Sequence, residues 1–320
     1  MIIGAPTPDD ALAALAHCVK RCEERGEQNL VFCEDSLTLL AERAVLAETG
    51  GTFLTEVTTF ARFLSGERQV LSKQGSVMAL SAILTDCEGE LSCFSAGAAE
   101  TVYETLAQLA ASRVDAAQLL AGAEATEGAL RAKLTDLALL SERYASFLSE
   151  NALLDESGYL ALLPEAIGKR LAGINVFFVA FPSFTRQAAE GIRAAAENAA
   201  NVTGIFLAGK EPLYTNEAAR VFRDICAEIG ETEIVMAPCT LTEDAERVRC
   251  GLFAPEVFSL PPEKAQRVCI FSAQDEAEEA NTVCALIKRY IAKGLRYRDI
   301  VVLTPDEESR LVMEKVFSSY

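Results

Sequence analysis

Apolar positions along this chain follow two patterns. Short apolar runs bounded by Gly, Pro, Asn or Asp read as buried strands, and longer stretches with apolar residues three and four apart read as helices. Ile2-Ile3 opens a short strand, followed by a turn rich in Pro and Asp. A helix is predicted from about Asp9 to Arg25, with Asp9 and Asp10 as cap and first-turn residues, Ala11 to Ala16 as strong helix formers and Gly26 as the stop. Asn29 to Cys33 reads as a buried strand, then Ser36 to about Glu48 as a helix ending at Gly50-Gly51. Phe53 to Val57 is a third strand, leading into a helical segment from Thr59 to Leu64. This β-α-β-α-β alternation predicts a parallel sheet.

From about Ser65 to Asn151 the pattern becomes helical throughout, without proline, and Leu134, Leu137, Leu140, Tyr144, Phe147 and Leu148 make one apolar stripe. We read it as an all-helical insertion whose stripe is the core of a small bundle. Alternation then resumes. Asn175 to Ala180 is a strand apolar nearly throughout, as a central parallel strand should be. A helix from Arg186 to about Ala200 and a strand from Val202 to Leu207 follow. Pro238, Pro255, Pro261 and Pro262 punctuate the approach to a last run: strand Gln266 to Ser272, helix Ala277 to Lys293, strand Asp299 to Thr304 and a final helix. The expected organisation is a first sheet domain in two parts (1–64 and 154–262), a helical insertion (65–153) and the truncated start of a second sheet domain (263–320).

Composition narrows the function. The 320 residues carry 29 Lys and Arg against 47 Asp and Glu, a net charge of −18. That balance argues against a broad basic face for nucleic acid and against an anionic membrane surface, while leaving a local groove open. No apolar run is long enough to span a bilayer, and the N-terminus lacks the layout of a secretory signal, so the chain is expected to be cytoplasmic. Ten cysteines contain no Cys-x-x-Cys pair and read as small core residues. His17 beside Cys18 and Cys22 could suggest a metal site, but one histidine in the whole chain makes multi-histidine sites and His-dependent catalysis poor candidates. The acidic clusters 275–279 and 306–308 open predicted helices, where they complement the helix dipole.

A strand, a glycine-led turn and a helix are the setting of a phosphate loop, which needs G-x-x-x-x-G-K-[ST]. The window here is Gly4-Ala-Pro-Thr-Pro-Asp-Asp-Ala11. Only Gly4 matches. Asp9 stands at the second glycine, Asp10 at the lysine and Ala11 at the hydroxyl, while Pro6 and Pro8 remove two N–H donors. The partner strand, which would end in a Mg²⁺-holding Asp, ends here in Val179-Ala180. The reading is an ATPase architecture kept for its shape, with no catalytic and no metal-binding residues assigned.

The segment from Cys33 through Ser36, Thr38 and Glu42, then Gly50-Gly51 and Glu56 through Phe60, Arg62 and Leu64, resembles the start of AddB/RexB, the B subunits of bacterial AddAB-type helicase–nucleases. Leu134 to Leu140, Phe181-Pro-Ser-Phe-Thr185 and Tyr297 to Thr304 follow in the family's order. The resemblance implies a superfamily-1 helicase-like fold: a RecA-like domain, a helical insertion and a second RecA-like domain. It also implies an AddA-type helicase–nuclease subunit as motor and heterodimer partner, with the B subunit scanning single-stranded DNA for the Chi signal. Thr38, Phe60 and Arg62 match positions of that DNA-reading surface; Ser36 stands where Gln is usual and Ser65 where an aromatic can occur. The intact subunit would be an ATP-dependent exodeoxyribonuclease component, with its iron–sulfur cluster and Mg²⁺ in a C-terminal nuclease domain beyond this stretch. No cofactor is expected here.

From the residues alone, Phe60 could offer a stacking face and Arg62 a phosphate contact, although Phe60 also fits a core position and Arg62 an ion pair. Glu42 is expected to pair with Arg43 or Arg62. Two rival readings are an active P-loop helicase using an unconventional loop and a scaffold for the partner motor.

Overall fold

The computed structural model describes residues 1–64, 70–208, 216–230, 232–253 and 268–319. Ser65, the start of the strand expected at 266 and the boundary expected near 262 lie outside the described residues. The chain divides into two compact units, Met1–Leu260 and Pro261–Tyr320.

The first unit is built on six strands: β1 (Ile2–Ala5), β2 (Asn29–Cys33), β3 (Thr55–Thr58), β4 (Asn175–Val179), β5 (Asn201–Leu207) and β6 (Ile234–Met236). They form one sheet in the order β3-β2-β4-β5-β1-β6, and every pairing is parallel. Because side chains alternate across a strand, each central strand feeds two cores. Ile2, Leu30, Phe32, Val176, Phe178 and Phe206 point to one face, covered by α9 (Leu163–Arg170), α10 (Arg186–Asn198) and α11 (Glu217–Ile229). Ile3, Val31, Cys33, Phe177, Val179 and Ile205 point to the other, covered by α1 (Pro8–Glu23) and α2 (Asp35–Thr49). The first core is aromatic, with the Phe32 and Phe178 rings stacked at 5.4 Å between centroids and Phe206 edge-on to Phe222. Gly204 leaves room for them, since a Cβ there would run into the Phe206 ring.

The amino-terminal edge is polar in an orderly way. Asn29, Asn175 and Asn201 stand side by side in register; Asn201 Nδ2 donates to Asn175 Oδ1 at 2.9 Å and Asn175 Nδ2 to Asn29 Oδ1 at 3.2 Å. Asn175 Nδ2 also meets Glu27 at 3.0 Å. Arg25 and then Asn175 hold the Glu27 carboxyl down at about 2.

Between β3 and β4 lie a short α3 (Phe60–Phe63) and the helical insertion: α4 (Lys73–Asp86), α5 (Ala99–Ala111), α6 (Ala116–Glu124) and α7 (Gly128–Glu150), with a brief α8 (Glu156–Leu160) leading back. The expected stripe is its core. Leu137, Leu140 and Tyr144 are buried against Leu80, Leu84, Val102 and Leu106, with Leu134, Phe147 and Leu148 packed around them. Asp136, buried in α7, accepts from the Ser92 and Cys93 amides at 2.9 and 2.7 Å.

Several elements differ from expectation. The third strand runs from Thr55 rather than Phe53: Phe53 is fully exposed, in a turn organised by the Thr52 hydroxyl, which accepts from the Leu54 and Thr55 amides. Helix α11, edge strand β6 and α12 (Glu243–Phe253) occupy a stretch where no elements were anticipated. In the second unit, α13 (Glu276–Ala292) packs on α14 (Glu307–Phe317), but the expected strands at 266–272 and 299–304 do not form among the described residues. Ile270 and Leu303 are almost wholly exposed there. A strand is defined by its ladder, and no strand is paired with either segment among the described residues.

Candidate functional site

The two candidate sites lie at the carboxyl edge of the sheet, where an open α/β sheet ordinarily binds ligands. At the first, β1 passes into α1 through only two residues, Pro6 and Thr7. The window compared with a phosphate loop is therefore not a loop: Gly4 and Ala5 belong to the strand, and Pro8 to Ala11 to the helix. Thr7 is the N-cap and Pro8 the first helical residue, so the helix begins ahead of the predicted Asp9. Asp10 turns inward and is 3% exposed. The Thr7 hydroxyl accepts from the Asp10 amide at 3.0 Å and donates to Asp10 Oδ2 at 2.8 Å. On the other side, the Thr240 hydroxyl donates to Asp10 Oδ1 at 2.7 Å.

The remaining residues of the window serve packing. Asp9 is exposed, and Ala11 is buried in the core beneath α1, its amide bonded to the Thr7 carbonyl at 3.0 Å. Gly4 is small because the Met236 side chain crosses it, where a Cβ would come within 2.8 Å. Val179 is fully buried in the same core as Ala5 and Ala11 and is paired in register with Cys33 and Ile205. The next residue, Ala180, has a left-handed backbone (φ 56°), a conformation that favours glycine. Its amide bonds the Ile205 carbonyl at 2.8 Å. The turn thus offers an anion at the helix N-terminus, two prolines without N–H groups, and no lysine at the position a phosphate loop requires. These residues do not fit a Mg²⁺–triphosphate.

The second site joins the ends of the neighbouring strands β2 and β3. Asp35, at the start of α2, is its hub: Arg62 on α3 places a guanidinium N–H on Asp35 Oδ1 at 2.5 Å, and the Thr38 hydroxyl donates to the Asp35 carbonyl at 3.0 Å. Thr38 is 6% exposed, its hydroxyl held by a carbonyl of its own helix, whereas the Arg62 and Asp35 side chains are largely in solvent. The Arg62 partner is Asp35 and not the anticipated Glu42. Phe60 is half-buried, 5.0 Å from the Phe32 ring and stacked at 5.4 Å on Phe181.

Helix α3 is short but firmly placed. Thr59 caps it, Arg170 donates to the Phe63 carbonyl at 2.5 Å while lying 4.1 Å over the Phe63 ring, and the Tyr159 hydroxyl bonds the Leu64 carbonyl. Sequence reasoning missed Asp35, Arg170, Phe181 and Thr240 as parts of these sites. Only Thr7 had a readable signal, a Thr directly before a Pro-led helix; the others act across the fold. Beneath the site, burial pushes the Cys33 thiol up to about 11, with Glu42 adding to it. Among the described residues, no three His, Cys, Asp or Glu side chains converge as a metal-ligand set, and no helix is long and apolar enough to cross a membrane.

A parallel six-stranded sheet, helices on both faces and a helical insertion after the third strand define a RecA-like α/β protein. Within that class the chain is placed by its match to the family described as "ADDB, N-terminal", which covers residues 14–229, about two-thirds of its length. The chain belongs to this family and so connects with AddB-type subunits and their role in DNA repair. No curated protein matches it.

Proposed function

We propose that this chain is the ATPase-inactive, helicase-like part of an AddB-type subunit. In this reading it holds single-stranded DNA, as Chi scanning requires, while an AddA-type subunit supplies the motor during break processing. The observation that carries the inactive state is the buried Asp10 carboxylate. A carboxylate fixed between two hydroxyls at the helix N-terminus takes up the positive end of the dipole that would otherwise favour a phosphate. No ATP-dependent step is assigned to this chain, and nuclease chemistry with its metal centres is assigned to other parts of the enzyme.

The DNA reading is supported by Arg62. Its ion pair with Asp35 is exposed, and such pairs contribute only about 0–1 kcal/mol, so a phosphate can compete for the guanidinium at little cost. Thr38 is then a positioning residue that fixes the Asp35 backbone. Phe60 offers one edge to a base while its partner Phe181 stays in the core. A second reading, a scaffold that never touches DNA, is favoured by the net charge of −18 and by the core contacts of Phe60. Measuring single-stranded DNA affinity in the assembled two-subunit complex separates them. With Arg62→Ala the DNA reading expects a severalfold weaker complex and a shallower salt dependence. Unchanged affinity and salt slope in Arg62→Ala and in the Phe60→Ala, Arg62→Ala double variant would leave only the scaffold.

A further inference from the structure

The chain carries a net charge of −18, yet one stretch of it is purely basic: Lys288-Arg-Tyr-Ile-Ala-Lys-Gly-Leu-Arg-Tyr-Arg298 holds five Lys and Arg and no acid. In the second unit this stretch forms the end of α13 and the turn after it. The chain reverses at Gly294 (φ 99°), where the Leu295 amide donates back to the Tyr290 carbonyl at 3.2 Å. Arg296, Tyr297 and Arg298 thereby return beside the last turn of the helix. Arg289, Lys293, Arg296 and Arg298 are all exposed. Tyr297, on a short 3₁₀ turn (Tyr297–Asp299), is 74% exposed. Tyr290 is 43% exposed, with the Lys293 ammonium 6.0 Å over its ring.

Little of this charge is engaged by acidic neighbours. Arg296 pairs with Asp299 at 2.9 Å, in solvent, where a phosphate can compete for it. Among the described residues, Arg289 and Arg298 make no ion pair. The carboxylates that open α13 stand a helix length away, about 25 Å for its 17 residues, beyond the Debye length. Cations in a last turn favour the helix dipole, which accounts for Arg289 and Lys293. It does not account for Arg296 and Arg298 past the helix end, nor for two exposed phenol rings among the cations. An acidic peptide would use the charge and leave the rings idle. A strand of phosphates with unstacked bases uses both, since the cations meet its backbone while each ring takes a base. We infer that this end of the second unit holds single-stranded nucleic acid. The contact is separate from Arg62 and goes beyond the reading proposed there.

Fluorescence anisotropy of a labelled oligothymidylate of about 15 nucleotides, titrated with the full chain, tests it. The double variant Arg289→Ala, Arg298→Ala loses two exposed side chains, so Tm should hold. Its affinity should fall about tenfold and its salt slope by about 1.4. An abasic strand of the same length keeps every phosphate and has no base; it should bind at least about fivefold more weakly, and Tyr297→Ala should narrow that gap. Arg62→Ala is measured alongside. A loss in Arg62→Ala with the double variant unaltered would overturn this inference and leave the Arg62 reading in place, whereas a loss confined to the double variant would support this inference alone. Displacement of the strand by polyglutamate as readily as by unlabelled oligothymidylate would assign the patch to an acidic protein segment and overturn it. So would an abasic gap untouched by Tyr297→Ala, or the lack of saturable binding at low salt.

Discussion

Replacing Asp10 by alanine cuts the clasp at the head of α1. Two hydroxyl bonds to the carboxylate are lost, at 2.8 and 2.7 Å, and Thr240, itself exposed, has only water to replace its carboxylate partner. Hydrogen bonds to a charged group contribute about 1.5–3 kcal/mol each, and the desolvation recovered on removing a buried carboxylate offsets part of that. The net loss expected is about 2–4 kcal/mol, concentrated in the first unit. Thr240→Val isolates one arm of the clasp without a large change in shape. A double-mutant cycle between the two should return a coupling of about 1.5–3 kcal/mol, because the Thr240 bond can be lost only once. The chain has no tryptophan, so urea unfolding is best followed by far-UV circular dichroism. A coupling below about 0.5 kcal/mol, or an Asp10→Ala variant as stable as the parent, would mean that the carboxylate does not rest between these hydroxyls.

Other outcomes follow from the same structure. Ala180→Gly relieves a left-handed alanine that costs about 1–2 kcal/mol and adds back about 0.5–1 kcal/mol of backbone entropy, so thermal unfolding should show a small gain and not a loss. Thiol alkylation at pH 8, mapped by mass spectrometry, should reach the exposed Cys93, Cys239 and Cys269 well before Cys33, whose thiol burial pushes up to about 11; early labelling of Cys33 would contradict its placement. The Glu27 carboxyl is depressed from 4.5 to about 2, so its contribution to stability is complete above 4.5 and disappears as pH falls through about 2. The stability difference between the parent and Glu27→Gln should therefore be full at pH 7 and close by pH 2.

Much of the fold was legible because burial on both faces writes a continuous apolar run into the sequence. Strand β2 lies where the run Asn29 to Cys33 placed it, and β4 differs from expectation only at Ala180. The stripe from Leu134 to Leu148 is bundle core. Helix α11 was readable too, since Ala218, Ala219, Phe222 and Ile225 are spaced for one buried face behind an Asn216 cap. Strand β6 was not, because three exposed edge residues carry no alternation. In the second unit, apolar runs at 268–272 and 300–304 imitate strands, since periodicity reports what a segment could bury and not whether a neighbour is present.

The candidate sites were legible to a different degree. The missing lysine and the acidic substitutions are visible in the window itself, whereas the clasp depends on Thr240, far away in the chain, and no local pattern announces it. Likewise Thr38 and Arg62 could be named as a pair, but the residue that unites them is Asp35, adjacent in sequence to Ser36 and unremarked until the ends of β2 and β3 came side by side.

The central claim is that Asp10 occupies the seat a triphosphate would need. It is tested most directly by equilibrium titration of the chain with a fluorescent ATP analogue in the presence and absence of Mg²⁺. The account predicts no saturable binding up to millimolar nucleotide and no rise in Tm. Micromolar, Mg²⁺-dependent binding that Asp10→Ala alters would contradict it.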